Sequence, residues 1–288
     1  MQKLLKGTGV ALVTPFDSNL KIDFKSFEKI LEYHSQNGID YFVVNGTTGE
    51  AATTNKQEKR ELLDFIRNHN PKKLPIMYGT GGYDTLDIVE HVKEMNWTGV
   101  DALLSVSPYY NRPSQKGIVA HYEAVADACP VPVILYNVPK RTGSNLTADT
   151  TLALSKHDNI IGIKEASGDF SQIVDIVAGK ADDFMLFSGD DMCTVPMISI
   201  GAIGVISVLA NAFPKEMSSM VNAALDGKYT EATSYLSKLS YINPHMYSES
   251  SPVGIKEVMN QMGLCGNHVR LPLVGPSAEL SATIKKLI

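Results

Sequence analysis

The chain has 288 residues, 44% hydrophobic and 20% charged, with a formal net charge of -5 and a pI near 5.8. That length suits one α/β barrel of ~250 residues and can bury a core without disulfides or a structural metal. The acidic balance, with no run of basic residues, argues against a nucleic-acid binder, and no stretch approaches the ~18 apolar residues of a membrane span.

In chain order, the segment MQKLLKGTGVALVTPF has an apolar run of only four residues before Thr14-Pro15. That is too short for a secretory signal core, so a cytoplasmic protein is expected. A first strand reads GVALVTP from Gly9, and Asp23 then caps FKSFEKILEYHSQNG, which places Phe24, Phe27, Ile30 and Leu31 on one helical face and stops at Gly38. YFVVNG from Tyr41 is followed by Asn55 and KQEKRELLDFIRNH, and LPIMYGTG from Leu74 by Asp84 and TLDIVEHVKEMN. ALLSVSP from Ala102 is followed by Ser114 and QKGIVAHYEAVADA, and VPVILYNVP from Val131 by Thr147 and ADTTLALSKH. IIGIKEA from Ile160, MLFSGD from Met185 and GVISVLA from Gly204 complete eight short apolar runs bounded by Gly, Pro, Asn or Asp.

Strands alternating with N-capped amphipathic helices imply βαβ units and a parallel sheet. Eight uninterrupted units, with no GxGxxG after the first strand, favour a closed (β/α)8 TIM barrel over an open doubly wound sheet. After about residue 225 only helical patterns remain, in YTEATSYLSKLSYINPHMY, PVGIKEVMNQMG and SAELSATIKKLI. The expected organisation is a barrel over residues 1–225 with additional C-terminal helices over 226–288 packed beside it. Cys129, Cys193 and Cys265 are odd in number, widely spaced and free of CxxC. They are expected to be buried thiols in a reducing compartment.

Barrel chemistry sits at the C-terminal ends of the strands. There the sequence places Thr47 and Thr48 after the second strand, Tyr110 after the fourth, Tyr136 and then Arg141 at the fifth, Lys164 on the sixth, Gly189 after the seventh and Ile206 on the eighth. Lys164 interrupts an apolar run and shares a face with Gly162, which leaves room for a long side chain inside the barrel. An ammonium withdrawn from water gives up its proton more readily, and the free amine attacks a carbonyl. The alternative is a structural lysine paired with a carboxylate, for which Glu165 faces the wrong way. Tyr136 can shuttle protons at the same space or be a strand-end aromatic. Thr47 and Thr48 offer hydroxyls and backbone N–H groups to a carboxylate, or simply make a turn and cap. Arg141 can bind a carboxylate with both arms of its fork or lie solvated on the surface. None of the seven histidines falls at a strand end and no HxH or HExxH occurs, so no metal site is expected.

The segments GTTGE (46–50), SPYYNRPSQ (107–115), YNVPKRTG (136–143), IIGIKEASG (160–168), SGDD (188–191) and GVISV (204–208) occur in this order. In them the chain resembles the pyruvate-dependent class I aldolase family of dihydrodipicolinate synthases and N-acetylneuraminate lyases, over essentially its whole length. The resemblance implies a homotetramer built as a dimer of dimers, small-molecule substrates and no metal or organic cofactor. It implies that Lys164 forms the Schiff base with pyruvate. Tyr136, Thr47 and Tyr110 would relay protons, with Tyr110 reaching in from a neighbouring subunit. Thr48 would hold the pyruvate carboxylate, Gly189 and Ile206 would line the site, and Arg141 would hold the carboxylate of aspartate semialdehyde. The RTG at 141–143 matches the synthases, which carry out the first committed step of diaminopimelate and lysine biosynthesis. A sugar-acid aldolase or lyase, and a non-catalytic ligand-sensing barrel, are the alternatives. Members inhibited by lysine often carry histidines and an asparagine where this chain has Lys56, Lys59 and Tyr83. Ammonium groups repel a cationic effector, so weak or absent lysine inhibition is expected.

Overall fold

A computed structural model describes residues 1–288, apart from the side chain of Gln2. Eight parallel strands close into a barrel in sequence order. They are β1 (Gly7–Ala11), β2 (Tyr41–Val44), β3 (Ile76–Thr80), β4 (Ala102–Val106), β5 (Val133–Asn137), β6 (Ile160–Glu165), β7 (Met185–Ser188) and β8 (Gly204–Ser207). β8 pairs back onto β1 with Gly9 opposite Ile206. Helices alternate with the strands, and Tyr229–Ser240, Val253–Gln261 and Ala278–Leu287 form the expected C-terminal group.

The local chemistry of the helix starts follows the sequence. Asp23, Asn55, Asp84, Ser114 and Thr147 each accept a backbone N–H of the first turn. Asn55 and Glu58 add a reciprocal capping box. The strands are buried on both faces because helices cover the outside while side chains fill the inside. Outward residues such as Phe42, Val44, Leu103, Leu135 and Ile163 join the helix-facing core. Inward residues such as Tyr41, Val43, Leu104, Ile134, Met185, Phe187 and Ile206 form a second, central cluster.

Three local features depart from the expectation. β1 begins at Gly7, two residues earlier than the apolar run suggested, and a short helix, Gln2–Leu5, precedes it. Leu5 from that helix packs into the central cluster, beneath the strands. The space at Gly162 is occupied by Met185 and not by Lys164, since a Cβ at Gly162 would lie 2.9 Å from Met185 Cβ and 2.6 Å from its carbonyl oxygen. Cys129 and Cys265 are buried as free thiols, but Cys193 is only half-buried.

Candidate active site

Lys164 and Tyr136 are direct partners in the β5–β6 register. Both point inward at the C-terminal end of the barrel. The Lys164 side chain is 5% exposed and its Nζ stands 4.2 Å from the centre of the Tyr136 ring. Among the described residues no carboxylate forms an ion pair with it. Glu165 faces outward, as the strand alternation requires, and takes neutral donors instead. The structural-lysine alternative therefore lacks its partner.

β7 and β8 close in on the lysine. A Cβ at Gly189 would lie 3.1 Å from Lys164 Cε and 2.7 Å from Ala166 Cβ. Only glycine lets that backbone approach so closely. Ile206 joins the central cluster beside Tyr136 and Phe187. Asp191 fastens the two strand ends together, its Oδ2 accepting the N–H groups of Val208 (3.2 Å) and Leu209 (2.9 Å).

The GTTGE turn after β2 is held at both ends. Asn45 and Glu50 adopt left-handed φ values of 57° and 55°, a conformation asparagine tolerates but glutamate seldom takes. Glu50 donates its N–H to Thr47 O (3.1 Å), and Thr14 Oγ1 donates to Gly49 O (2.7 Å). Thr48 is buried and Thr47 exposed. Behind the turn, Glu50 Oε1 accepts from Lys256 Nζ at 2.5 Å and Oε2 accepts from Arg270 N at 3.0 Å. Lys256 also donates to His268 O (2.8 Å) and stands over the Phe16 ring. The turn with the two threonines is thus bolted to the C-terminal helices. Sequence reading missed this, because Glu50 and Lys256 are 206 positions apart and each looks like a surface charge.

Arg141 lies on a single helical turn, Pro139–Thr142, and it is exposed at the barrel mouth. Ser144 Oγ donates to Pro108 O (3.2 Å), tying this segment to the one after β4. That segment carries Tyr110, which is 86% exposed with φ 68°, in a left-handed conformation. Tyr83, Tyr109 and Tyr110 form an aromatic cluster, with centroids 5.9 Å and 6.0 Å apart around Tyr83. In this single chain the structure brings Lys164, Tyr136, Gly189 and Ile206 together and leaves Tyr110 on the surface. Tyr247, not anticipated, lies near enough to Asp191, Asp190, Tyr136 and Arg141 to sense their charge. Partial burial and the two aspartates push its phenol up. Among the described residues no group of three or more His, Cys, Asp or Glu side chains is gathered for a metal ion.

A closed (β/α)8 barrel with a buried lysine amine on β6 against a tyrosine on β5 defines a class, the barrel enzymes of the class I aldolase type. Residues 4–288 match the dihydrodipicolinate synthetase family, and the chain belongs to that family. It is 48% identical to a 4-hydroxy-tetrahydrodipicolinate synthase of Cytophaga hutchinsonii over 280 residues, covering 97% of this chain and 94% of the relative. A relative from Flavobacterium psychrophilum with the same name is 46% identical over 276 residues, 96% of this chain and 94% of the relative. The crystal structure of a chloride-inhibited dihydrodipicolinate synthase from Acinetobacter baumannii, complexed with pyruvate, superposes with a TM-score of 0.95 at 36% identity. That match covers 98% of this chain and 97% of the other.

Proposed function

We propose that this chain condenses pyruvate with L-aspartate 4-semialdehyde to give 4-hydroxy-tetrahydrodipicolinate, the first committed step of diaminopimelate and lysine biosynthesis. The observation that carries the reading is the Lys164 amine, buried without a carboxylate and set against the Tyr136 ring, in a chain of this family. Lys164 adds to the pyruvate carbonyl, and loss of water gives an imine. Loss of a methyl proton gives the enamine, whose carbon attacks the aldehyde. The substrate amine then displaces Lys164 as the ring closes.

Tyr136, Thr47 and a Tyr110 from a second copy move the protons. Thr48 holds the pyruvate carboxylate while Gly189 and Ile206 wall the site, and Arg141 holds the carboxylate of the aldehyde. Residues 1–225 form the catalytic barrel and 226–288 the helical region packed on it. The assembly is a tetramer built as a dimer of dimers. A cytoplasmic location accords with free cysteines and with no helix among the described residues long and apolar enough to cross a membrane.

The test is pyruvate-dependent consumption of aspartate semialdehyde by the purified protein, beside Lys164→Ala. Turnover that disappears in the variant is expected. Borohydride trapping of pyruvate without that turnover would sink the assignment of the second substrate and turn attention to sugar aldehydes. Absence of both would sink the Schiff-base reading. Lys56 lies 3.9 Å from Asp87, and partly buried Lys59 has its ammonium pKa lowered by that burial. With these cations at positions where lysine-inhibited members often carry histidines, the same assay is expected to show little inhibition by lysine, and half-inhibition below millimolar lysine would refute this.

A further inference from the structure

Asn137 and Glu165 follow Tyr136 and Lys164 directly and are likewise partners in the β5–β6 register. Where Tyr136 and Lys164 face the barrel interior, these two face the helices, and both are fully buried. The Glu165 carboxylate accepts from Asn137 Nδ2 (3.0 Å to Oε2), Ser167 N (2.6 Å) and Gln172 Nε2 (3.2 Å). None of these donors is a cation.

A carboxylate held only by amides needs all of them, because each lost partner leaves a buried polar atom unsatisfied. Asn137 turns the network toward the Arg141 segment. Its Nδ2 donates to Asn145 Oδ1 (2.8 Å) and its Oδ1 accepts Leu146 N (3.0 Å). Asn145 Nδ2 in turn donates to Gln172 Oε1 (2.6 Å). Gln172 stands in the first turn of the helix Phe170–Gly179.

The segment between β5 and the next helix therefore leaves the sheet at Val138, carries Arg141 on one exposed turn, and is recaptured at Asn145 and Leu146. That turn has no side-chain cap of its own. The β5–β6 register at Tyr136 and Lys164, by contrast, is also fixed by strand pairing and by the central cluster. We propose that Glu165, Asn137, Asn145 and Gln172 are positioning residues for Arg141. They set the affinity for the carboxylate of the second substrate and leave the Schiff-base step nearly untouched. This rests on the assignment of Arg141 made above.

The experiment compares Glu165→Gln with Asn145→Ala, which releases the segment from a half-buried position and leaves both strands intact. Each is expected to raise the KM for aspartate semialdehyde about tenfold, short of the roughly 100-fold that a 1 Å misplacement of a substrate-orienting group can cost. The KM for pyruvate, borohydride trapping on Lys164 and kcat at saturation should stay within about twofold. In an Arg141→Ala background the same two changes should have almost no further effect on that KM. An unchanged KM for the aldehyde in both variants, or a fall in kcat and pyruvate trapping as large as the rise in KM, would overturn the proposal. So would effects that simply add to those of Arg141→Ala. If the unmodified chain traps pyruvate but never consumes aspartate semialdehyde, the functional reading falls and this one with it. Normal turnover with indifferent variants removes this one alone.

Discussion

Asp191 shows how one buried carboxylate can hold two strand ends and still carry a cost. Burial raises its carboxyl to about 6, against the lowering effect of hydrogen bonds from Ser207 and Leu209. The folded chain therefore holds this proton more tightly than the unfolded chain, whose carboxyl titrates near 3.8. The associated stabilisation is complete below pH 3.8 and is lost as pH rises through about 6. A shift of that size corresponds to about 3 kcal/mol. Asp191→Asn keeps an oxygen for Val208 and Leu209 without a charge. Melting curves are expected to show the variant several degrees more stable than the native chain at pH 8, with the gain gone at pH 4. A variant equally destabilised at both pH values would contradict the account. Gly189, two residues earlier, works in the opposite manner. It contributes no side chain, and its value lies in letting backbone press against Lys164.

The element that decides the geometry of the threonine turn is not part of the strand it follows. Glu50 is anchored by Lys256 on the helix Val253–Gln261 and by the backbone of Arg270. The Arg270 side chain reaches Glu58 on the helix Lys56–Asn68 and lies over the Phe16 ring. Both members of the Glu50–Lys256 pair are buried, so removing one strands the other in a low-dielectric interior. Lys256→Met is expected to cost roughly 3–5 kcal/mol in denaturant unfolding, the range for breaking a buried pair. The double variant Glu50→Gln/Lys256→Met should recover a good part of that loss. A loss below about 1 kcal/mol in the single variant would show that the pair does not hold the region.

At the scale of the whole molecule, Tyr110 is an exposed aromatic in a strained backbone conformation beside a second exposed tyrosine, Tyr83. Strain of that kind persists where surroundings or function require it. If a second copy supplies Tyr110, then Lys164→Ala and Tyr110→Phe chains, each nearly inactive, should complement each other on co-expression. Random pairing in a two-fold dimer places one native site in half of the dimers, so activity near a quarter of native is expected. Mixed preparations no more active than the separate variants would count against the shared site, as would sedimentation of a fully active monomer.

The eight strands and the five N-caps were legible in the sequence because each depends on neighbours in the chain: alternation, turn residues, a capping oxygen two or three positions from its donor. The same local logic exposed Lys164 and Tyr136, since a lysine inside an apolar strand has few explanations. Position along the barrel also fixed that Glu165 faces away from Lys164. Other features needed the folded chain. Met185 fills the space at Gly162, Leu5 closes the barrel below, Glu50 and Lys256 meet across 206 positions, and Asn137, itself bonded to Glu165, holds Asn145 and Leu146. The sequence by itself determined the order of the eight strands and which side chains, Lys164 and Tyr136 among them, lie toward their C-terminal ends. Only the tertiary structure decided what holds them there, because those supports join residues distant in the chain whose charges and amides carry no local signature.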